Sequence, residues 1–273
     1  MSLHVEVLGS GPPLVLLHGW AMHGGVFLPL AEWLRDRHTL YLVDLPGHGH
    51  SRDSTVPLEL GPCARAVLSA VPDAPWLGWS MGGAIALHAA NIAPQRVTAL
   101  ILVGATPRFV AAPDWPQGMP VEAFESFKAG LDADWRGTVE RFLALEAFGL
   151  DDARDRVRQL RALALERGAP SPRVLAEGLR LLETTDLRPS LPALAAPSLW
   201  IAGRRDRVIS PAAMQAAAAL RPDARFQQVE RAGHAPFLTH PQTVADAVLG
   251  FLDAPRGSES PDADPRGNDE PEP

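Results

Sequence analysis

The sequence contains a single cysteine, Cys63, among its 273 residues. One cysteine cannot form a disulfide within the chain, so the fold depends on its core and its hydrogen bonds. Because disulfide frameworks belong to oxidising compartments, we expect a cytoplasmic protein from a reducing environment. Cys63 itself is expected to be a partly buried, unreactive side chain.

Long hydrophobic runs are also missing. No apolar segment reaches the roughly 18 residues that a membrane-spanning helix requires. The first residues, MSLHVEVLGSGPP, lack the charged start and the apolar centre of a secretory signal peptide. We therefore expect a soluble protein that binds no membrane. Its 46% of hydrophobic residues suffice for one domain with a sizeable core, with or without an insertion.

Positive charge is scarce, and the negative charge is unevenly distributed. The net charge is −7, of which residues 253–273 carry −5, so the rest of the chain is nearly neutral. A nucleic-acid-binding domain would carry a basic patch or stripe, so no nucleic-acid partner is expected. Residues 253–273 consist mainly of Pro, Ser, Asp, Glu and Gly and have no aliphatic side chain larger than alanine. This acidic tail is predicted to be disordered.

The signatures of the common cofactors are absent from the sequence. Its nine histidines show neither H-E-x-x-H nor Cys-rich spacing, so no metal site is expected. Two glycine pairs, in Gly9-Ser10-Gly11 and Gly47-His48-Gly49, do not extend to G-x-G-x-x-G before a helix. A dinucleotide-binding loop is therefore not predicted, and we expect a protein that works without a cofactor.

Short apolar runs alternate with helical patterns along most of the chain. Near-continuous apolarity is typical of parallel strands that are buried on both faces. Strands are predicted at Leu14–Gly19, Leu40–Gly47, Trp76–Ser80, Ala99–Ala105 and Ser198–Gly203, and helices at Phe27–Arg35, Cys63–Val71, Ala84–Ala93 and Pro211–Leu220. This alternation predicts an α/β fold with a mostly parallel central sheet flanked by helices.

The alternation stops between about residues 106 and 189. Only helical periodicity occurs there, around Val139, Val157 and Leu175. We interpret residues 107–189 as a helical cap inserted over one end of the sheet. The core is then residues 1–106 and 190–252, followed by the acidic tail 253–273.

The segment Gly78-Trp79-Ser80-Met81-Gly82 matches the pattern G-x-S-x-G, with a predicted strand before it and a predicted helix after it. In that context the pattern forms a sharp turn that exposes the serine hydroxyl above the sheet. The start of the following helix contributes free N–H groups and a positive dipole end. Ser80 is therefore the candidate nucleophile.

A serine hydroxyl needs a base, and the base needs a carboxylate that orients it. In folds with this turn the acid and then the histidine follow the serine along the chain. Asp206 lies just after the strand Ser198–Gly203, and His234 follows the apolar run Phe226–Val229. Both are expected outside the carboxyl ends of strands, where open α/β sheets bind ligands.

The other histidines are weaker candidates for the base. His18 is expected to make a structural hydrogen bond. His48 and His50 are assigned to an exposed glycine loop, and His88 falls in the middle of a helix. His240 precedes a proline and is expected to start a helix.

An oxyanion hole needs two N–H donors, one of which follows the nucleophile and one of which comes from the loop after an earlier strand. Met81 would supply the first donor. The second would come from the segment His18-Gly19-Trp20, which ends at Trp20.

These residues carry a resemblance to the α/β-hydrolases that extends from Leu3 to about Leu252. Within that family the chain resembles the carboxylesterases that cleave the methyl ester of pimeloyl-acyl carrier protein in biotin synthesis. The stretches that carry it are LVLLHGW, LYLVDLPGHGHS, WLGWSMGG, TVERFLALE, TDLR and AGHAPFLTHP.

The resemblance implies the catalytic triad Ser80, Asp206 and His234, with Trp20 and Met81 at the oxyanion position. It implies substrate contacts from Trp20, Ser80, Met81 and His234, and it places the segment that contains Phe142, Leu143 and Glu146 against the acyl chain. It also implies an acyl carrier protein as partner, bound by cap arginines at positions that match Arg141, Arg154 and Arg158. At a fourth basic position of the family this chain has Gly137, with Arg136 beside it.

Other interpretations of these residues remain open. The spacing of Arg154, Arg158 and Arg161 also fits an ordinary solvated helix face, because Asp151, Asp152 and Asp155 lie nearby. The same triad would serve a broad-specificity carboxylesterase or a carbon–carbon bond hydrolase. A ligand receptor without catalysis would not need an intact Ser-Asp-His set. We expect a monomer.

Overall fold

The central β-sheet brings the ends of its strands together at one edge. The computed structural model describes residues 2–146 and 153–254, in which seven strands pair in the order β1-β3-β2-β4-β5-β6-β7. β1 pairs antiparallel with β3, and all the other pairs are parallel. The strands are β1 (Val5–Gly9), β2 (Pro13–Leu17), β3 (Thr39–Val43), β4 (Ala74–Trp79), β5 (Val97–Val103), β6 (Ser198–Gly203) and β7 (Arg225–Val229).

The five predicted strands are present, and so is the apolar run before His234, which forms β7. The sequence analysis did not anticipate β1, because its alternating residues Val5, Glu6 and Val7 do not form a continuous apolar run. β1 lies at the edge of the sheet and is only partly buried. Buried central strands such as β4 instead have the continuous apolarity that made them recognisable.

Helices flank the sheet, and four of them lie in the insertion between β5 and β6, which we call the cap. In the core they are α1 (Leu28–Leu34), α2 (Leu60–Ala70), α3 (Met81–Ile92), α8 (Pro211–Ala218), α9 (Pro236–Thr239) and α10 (Pro241–Leu252). The cap helices are α4 (Val121–Ala133), α5 (Trp135–Glu146), α6 (Ala153–Glu166) and α7 (Pro172–Thr184). None of the helices in the described part of the chain is long and apolar enough to cross a membrane.

The cap lies between β5 and β6, and its two ends meet. The Leu187 N–H donates to the Pro107 carbonyl at 2.8 Å, and Arg108 pairs with Asp186 at 2.8 Å. Hydrogen bonds from Arg188 lower the pKa of Asp186 to about 2, so this carboxylate stays charged at neutral pH. The neck of the insertion is thereby closed by backbone and charged contacts.

The cap is also anchored to the core at the end of α6. Arg167 pairs with Glu6 and, at 3.2 Å, with Asp44, whose side chain is fully buried after β3. Asp44 also accepts N–H bonds from Gly24 at 2.7 Å and from His50 at 2.8 Å. The position of α6 is therefore fixed by a buried ionic contact with two core strands.

The acidic tail lies almost wholly outside the described residues. Asp253 is described, and it pairs with Arg37 at 3.1 Å. The prediction for the rest of residues 253–273 stays a prediction.

Candidate active site

Ser80 lies in the turn that joins β4 to α3. Its backbone has φ 54° and ψ −119°, a conformation that a residue with a side chain adopts only under strain. The Ser80 N–H donates to the Val103 carbonyl at 3.0 Å, which fixes the turn against the end of β5. This is the strained strand-to-helix turn that the G-x-S-x-G pattern predicts.

Glycines make this turn possible by allowing close backbone approach. A Cβ on Gly82 would overlap the carbonyl oxygen of Leu17 at the end of β2, and one on Gly83 would overlap the Cβ of Ala105. α3 therefore begins in direct contact with the ends of two strands. Larger residues at these positions would push the helix, and Ser80 with it, away from the sheet.

Asp206 and His234 lie together at the same edge of the sheet. The Nδ1 atom of His234 lies 2.8 Å from Oδ2 of Asp206, and both side chains are fully buried. The other carboxylate oxygen of Asp206 accepts the N–H groups of Val208 at 2.8 Å and Ile209 at 2.9 Å. These bonds fix the carboxylate, which as an acceptor places the proton of a neutral His234 ring on Nδ1 and leaves Nε2 unprotonated.

The surroundings of His234 favour its protonated form. Burial lowers its pKa, but the charge and the hydrogen bond of Asp206 raise the pKa above its ordinary value. A base that takes a proton from serine benefits from such support, because it becomes an imidazolium during the reaction.

Trp79 connects His234 to the nucleophile turn. Its indole N–H donates to the His234 carbonyl at 3.0 Å, and the two rings lie 5.6 Å apart. Trp79 directly precedes Ser80. The Nε2 atom of His234 has no hydrogen-bond partner among residues 2–146 and 153–254, so the bond to the Ser80 hydroxyl is not formed in this conformation. Such bonds often tighten only when substrate binds.

Met81 and the loop of Trp20 both lie next to Ser80. Met81 is the first residue of α3, where a helix has no internal acceptor for the N–H group. The loop of Trp20 lies beside the turn, since a Cβ on Gly19 would be 3.2 Å from the Cβ of Ser80. The Trp20 indole donates to the Leu175 carbonyl of α7 at 2.8 Å, so this side chain connects the loop to the cap.

Aromatic side chains fill the space above Ser80. Trp20 contacts Phe142 with a ring separation of 5.0 Å and Phe127 with one of 5.5 Å. The remaining cavity measures about 20 Å³, which is room for about one water molecule. Its other lining residues are Ser80, Phe109, Met119, Phe124, Leu145, Leu179, Leu182 and Val208. We call this set the acyl pocket.

The acyl pocket includes residues that the sequence analysis missed. Phe124 and Phe127 belong to α4, a cap helix that was not predicted. Their helical spacing was a usable signal, but the polar residues around them conceal it. Leu143 is buried beside this set, although it does not line the cavity.

Glu146 lies at the end of α5 and is buried, with 2% of its surface exposed. Neither carboxyl oxygen has a hydrogen-bond partner in the part of the chain that the structure describes. Burial raises the pKa of Glu146 to about 8, against the smaller effect of His234, so the group is mostly neutral at pH 7. The structure thus has an uncharged carboxylic acid in the neighbourhood of the His234–Asp206 pair.

The three arginines assigned to carrier contact are exposed on α5 and α6. Arg141 donates to the Thr138 hydroxyl at 2.5 Å and lines a surface groove of about 390 Å³. Phe127 and Leu145 line both this groove and the acyl pocket. Arg158 pairs with Asp155 at 3.0 Å, as the solvated-face interpretation expected for this helix.

Two histidines near the site, His18 and His48, are buried in the fold. His18 has its Nδ1 atom 2.8 Å from the Gly19 carbonyl and accepts the Leu45 N–H on Nε2 at 2.9 Å, which confirms its structural role. The prediction of an exposed loop was wrong for His48, which is fully buried with its ring 5.1 Å from His18. His50 is exposed, and His240 directly precedes α10.

Burial decides the protonation state of three of these side chains, His18, His48 and Cys63. It lowers the pKa of His18 to about 3 and that of His48 to about 4, so both are neutral at physiological pH. Burial raises the pKa of the Cys63 thiol to about 12, which agrees with an unreactive side chain.

Known proteins are similar to this chain in sequence. Residues 12–241 match the α/β hydrolase fold family. A pimeloyl-acyl carrier protein methyl ester esterase of Stenotrophomonas maltophilia strain K279a is 55% identical over 252 residues, which cover 92% of this chain and 97% of that protein. The enzyme of the same name from Xanthomonas oryzae pv. oryzae strain MAFF 311018 is 53% identical over 250 residues, with 92% and 98% covered.

A solved structure agrees with the fold. An esterase from Exiguobacterium antarcticum superimposes with a TM-score of 0.84 at 24% identity, and the match covers 92% of this chain and 96% of that one. The sequence match, the superposition and the strained serine turn lead to one conclusion. This chain belongs to the α/β-hydrolase family.

Proposed function

We propose that this protein is a serine carboxylesterase that hydrolyses the methyl ester of pimeloyl-acyl carrier protein, a reaction of biotin synthesis. The observation that carries the proposal is the identity of 52–55% to esterases of that name over 92% of the chain. The fixed His234–Asp206 pair beside a strained Ser80 turn supports it, because ester hydrolysis needs those groups.

In the proposed reaction the Ser80 hydroxyl attacks the ester carbonyl. His234 takes the serine proton on Nε2 and passes it to the methoxy oxygen, so that methanol leaves and the acyl group stays on Ser80. Water then attacks the acyl-enzyme, His234 takes its proton, and the proton returns to Ser80 as the acid is released. Asp206 stabilises the imidazolium that forms in both steps.

Negative charge on the carbonyl oxygen would be stabilised by the N–H groups of Met81 and Trp20. One such donor is worth about 3–4 kcal/mol of the barrier. The donors are backbone groups, so their positions depend on the strained turn and on the close packing of Gly82 against β2.

The acyl pocket, with Phe142 and Leu143 of α5, would surround the aliphatic chain of the substrate. Five methylene groups between the two carbonyls contribute at most about 4 kcal/mol on burial. That corresponds to millimolar binding, which alone would give a permissive esterase. Because the cavity has room for about one water molecule, its walls must move apart for the acyl chain to enter.

Selectivity for a carrier-bound ester would then come from contacts outside the pocket. Arg141 lines the groove that shares Phe127 and Leu145 with the acyl pocket, so a chain leaving the pocket there would pass this guanidinium. Arg154 and Arg158 are exposed on the next cap helix. We assign these three arginines to binding an acidic acyl carrier protein, since arginine forms strong bonds with carboxylate and phosphate groups.

The test compares a carrier-linked pimeloyl methyl ester with a free pimelate methyl ester of matched acyl length. Ser80→Ala should lower kcat on both by at least about 10⁴-fold. The double variant Arg154→Glu, Arg158→Glu should lower kcat/KM on the carrier substrate at least tenfold and leave the free ester within twofold. Growth of a biotin auxotroph that lacks this esterase, with Ser80→Ala as control, tests the reaction in cells.

The outcomes separate the alternatives. Equal loss on both substrates in the arginine variant would exclude the assigned carrier contact. Equal kcat/KM of the unmodified enzyme on both substrates would favour a broad-specificity carboxylesterase. No hydrolysis of either ester would refute the proposed function.

A further inference from the structure

The acyl pocket above Ser80 is too small for the acyl chain of the proposed substrate. It measures about 20 Å³, which is room for about one water molecule. A methylene group is about as large as a water molecule, which occupies about 30 Å³ in the liquid, so five methylene groups need on the order of 100 Å³ or more. An acetyl methyl group fits the closed pocket, whereas a longer acyl chain needs space from elsewhere.

The surface groove of about 390 Å³ between α4 and α5 lies next to the acyl pocket. The residues that line the groove are Ala123, Ser126, Phe127, Arg141, Ala144 and Leu145. Of the described residues, Phe127 and Leu145 line the acyl pocket as well. These two side chains therefore form the wall between the pocket and the groove.

The other walls of the acyl pocket belong to the interior of the protein. Phe124 of α4 and Val208 after β6 are 1% and 4% exposed, and the Phe124 ring lies 5.8 Å from the ring of Phe109. Leu145, by contrast, is 37% exposed, and Phe127 is half-buried. Because Phe127 and Leu145 border the groove, they can turn outward without displacing a core residue.

Phe127 makes the contacts that keep this wall closed. Its ring lies 5.5 Å from the Trp20 ring and 5.9 Å from the Phe142 ring. Aromatic pairs of this kind are favourable beyond the area that they bury. An outward turn of Phe127 breaks both contacts, so opening the wall has a cost in free energy. Every acyl chain longer than the closed pocket must overcome this cost, and an acetyl group does not.

We propose that Phe127 and Leu145 form a gate that determines acyl selectivity. The gate stays closed for acyl groups as small as acetyl and opens into the groove for longer acyl chains. The far end of a long chain then lies in the groove, where a bulky group attached to that end can remain outside the protein. This inference rests on the proposed ester hydrolysis, and it names the substrate class as methyl esters whose acyl chain continues past the gate.

The test compares methyl octanoate with methyl acetate, and the measured quantity is the ratio of their kcat/KM values. Phe127→Ala removes the gate and keeps the groove, so the octanoate-to-acetate ratio should rise at least about tenfold above that of the unmodified full-length protein. Phe124→Ala is the matched control, because it removes the same phenyl group from the same helix and pocket without connecting the pocket to the groove. Its ratio should change less than about threefold, since an octanoyl chain exceeds the closed space that one phenyl group leaves.

Filling the groove should have the opposite effect. Ala123 is an exposed residue of α4 that lines the groove, so Ala123→Trp occupies the space that the far end of a long chain needs. This variant should lower the octanoate-to-acetate ratio at least about tenfold, because each methylene buried in an apolar site raises affinity by up to about fourfold. Ala129→Trp is the matched control, since Ala129 is exposed on the same helix and lines neither the groove nor the acyl pocket.

Each result supports or overturns the gate. Equal ratios in Phe127→Ala and Phe124→Ala, or in the two tryptophan variants, would overturn it and leave the proposed ester hydrolysis intact. If thermal unfolding showed that Phe127→Ala does not fold, Leu145→Ala would take its place, because Leu145 lies partly at the surface. An unchanged ratio in that variant would also overturn the gate. Failure of the unmodified protein to hydrolyse either ester would instead refute the proposed function.

Discussion

At the scale of single residues, the hydrogen bond between Asp206 and His234 determines which nitrogen of the imidazole is free. Oδ1 of Asp206 is occupied by two backbone N–H groups, so only Oδ2 remains for His234. An amide in place of the carboxylate could direct its NH₂ group to Nδ1 and move the histidine proton to Nε2. The base would then be blocked although the geometry is preserved.

Asp206→Asn is therefore expected to lower kcat by about 10⁴-fold with little effect on KM. The measurement is steady-state hydrolysis of a short-chain ester by purified protein. Asp223→Asn is the control, because Asp223 is an exposed partner of Arg221 and does not line the acyl pocket. A loss of less than tenfold in Asp206→Asn would contradict the assigned role.

Glu146 gives a prediction about stability and pH. Its pKa in the folded protein, about 8, is higher than the ordinary value of 4.5, so folding is penalised when the group must ionise. The cost of ionising the buried Glu146 does not reduce the free energy of unfolding below about pH 4.5. It grows as the pH rises and reaches its full size above about pH 8. Glu146→Gln removes it, so the variant should be more stable than the parent by up to about 5 kcal/mol at pH 9.

The free energy of unfolding, measured in urea at pH 5, 7 and 9, tests this expectation. The advantage of Glu146→Gln should increase with each step, whereas Glu122→Gln at an exposed position of α4 should show no such trend. A constant difference between Glu146→Gln and the parent across the three pH values would mean that Glu146 is not buried in a neutral state.

At the scale of elements, the start of α3 is positioned by contact with β2 rather than by side-chain packing. Gly82 lies so close to the Leu17 carbonyl that even a methyl group would overlap it. Gly250 in α10 is the opposite case, since a Cβ there would contact nothing within 4 Å. Both residues are helical glycines, and only their surroundings differ.

Gly82→Ala should therefore destabilise the protein by about 1–3 kcal/mol and lower kcat, because overpacking moves Ser80 and the Met81 N–H. Gly250→Ala should stabilise it by about 0.5–1 kcal/mol through helix propensity alone. Thermal unfolding and ester hydrolysis of both variants would check this. If the two variants changed the stability by equal and opposite amounts and neither changed kcat, the close contact would have no role in positioning the turn.

At the scale of the whole molecule, several contacts between distant segments hold the cap helices on the core. The contact of Arg167 with Asp44 and Glu6 lies at the end of α6 and links the cap to β1 and β3. The Trp20 indole and His23 add bonds to the cap carbonyls of Leu175 and Leu163. These contacts hold α6 and α7 on the core.

Arg167→Met should destabilise the protein by about 3 kcal/mol, because it leaves the buried Asp44 without its charged partner. This loss of stability is at the low end of the range for breaking a buried ion pair, because Asp44 still accepts hydrogen bonds from two N–H groups. Arg173→Met, which removes an exposed pair with Glu177, should cost less than about 1 kcal/mol. Chemical denaturation of both variants would measure the difference, and equal losses would refute the anchoring role.

The sequence by itself determined much of the core. Continuous apolar runs identified five parallel strands because strands buried on both faces have no polar alternation. The G-x-S-x-G turn was predictable for a local reason, since strand, strained serine and helix follow one another directly. The order of Ser80, Asp206 and His234 along the chain then suggested which side chains meet at the end of the sheet.

The tertiary structure decided what depends on contacts between distant segments. β1 is a half-buried edge strand and α4 a helix with few buried residues, so neither has a strong local pattern. His48 is buried because His18 and the turn after β3 pack together, which no neighbouring residue reveals. The neutral state of Glu146 arises in the same way, because burial is a property of the folded surroundings and not of the local sequence.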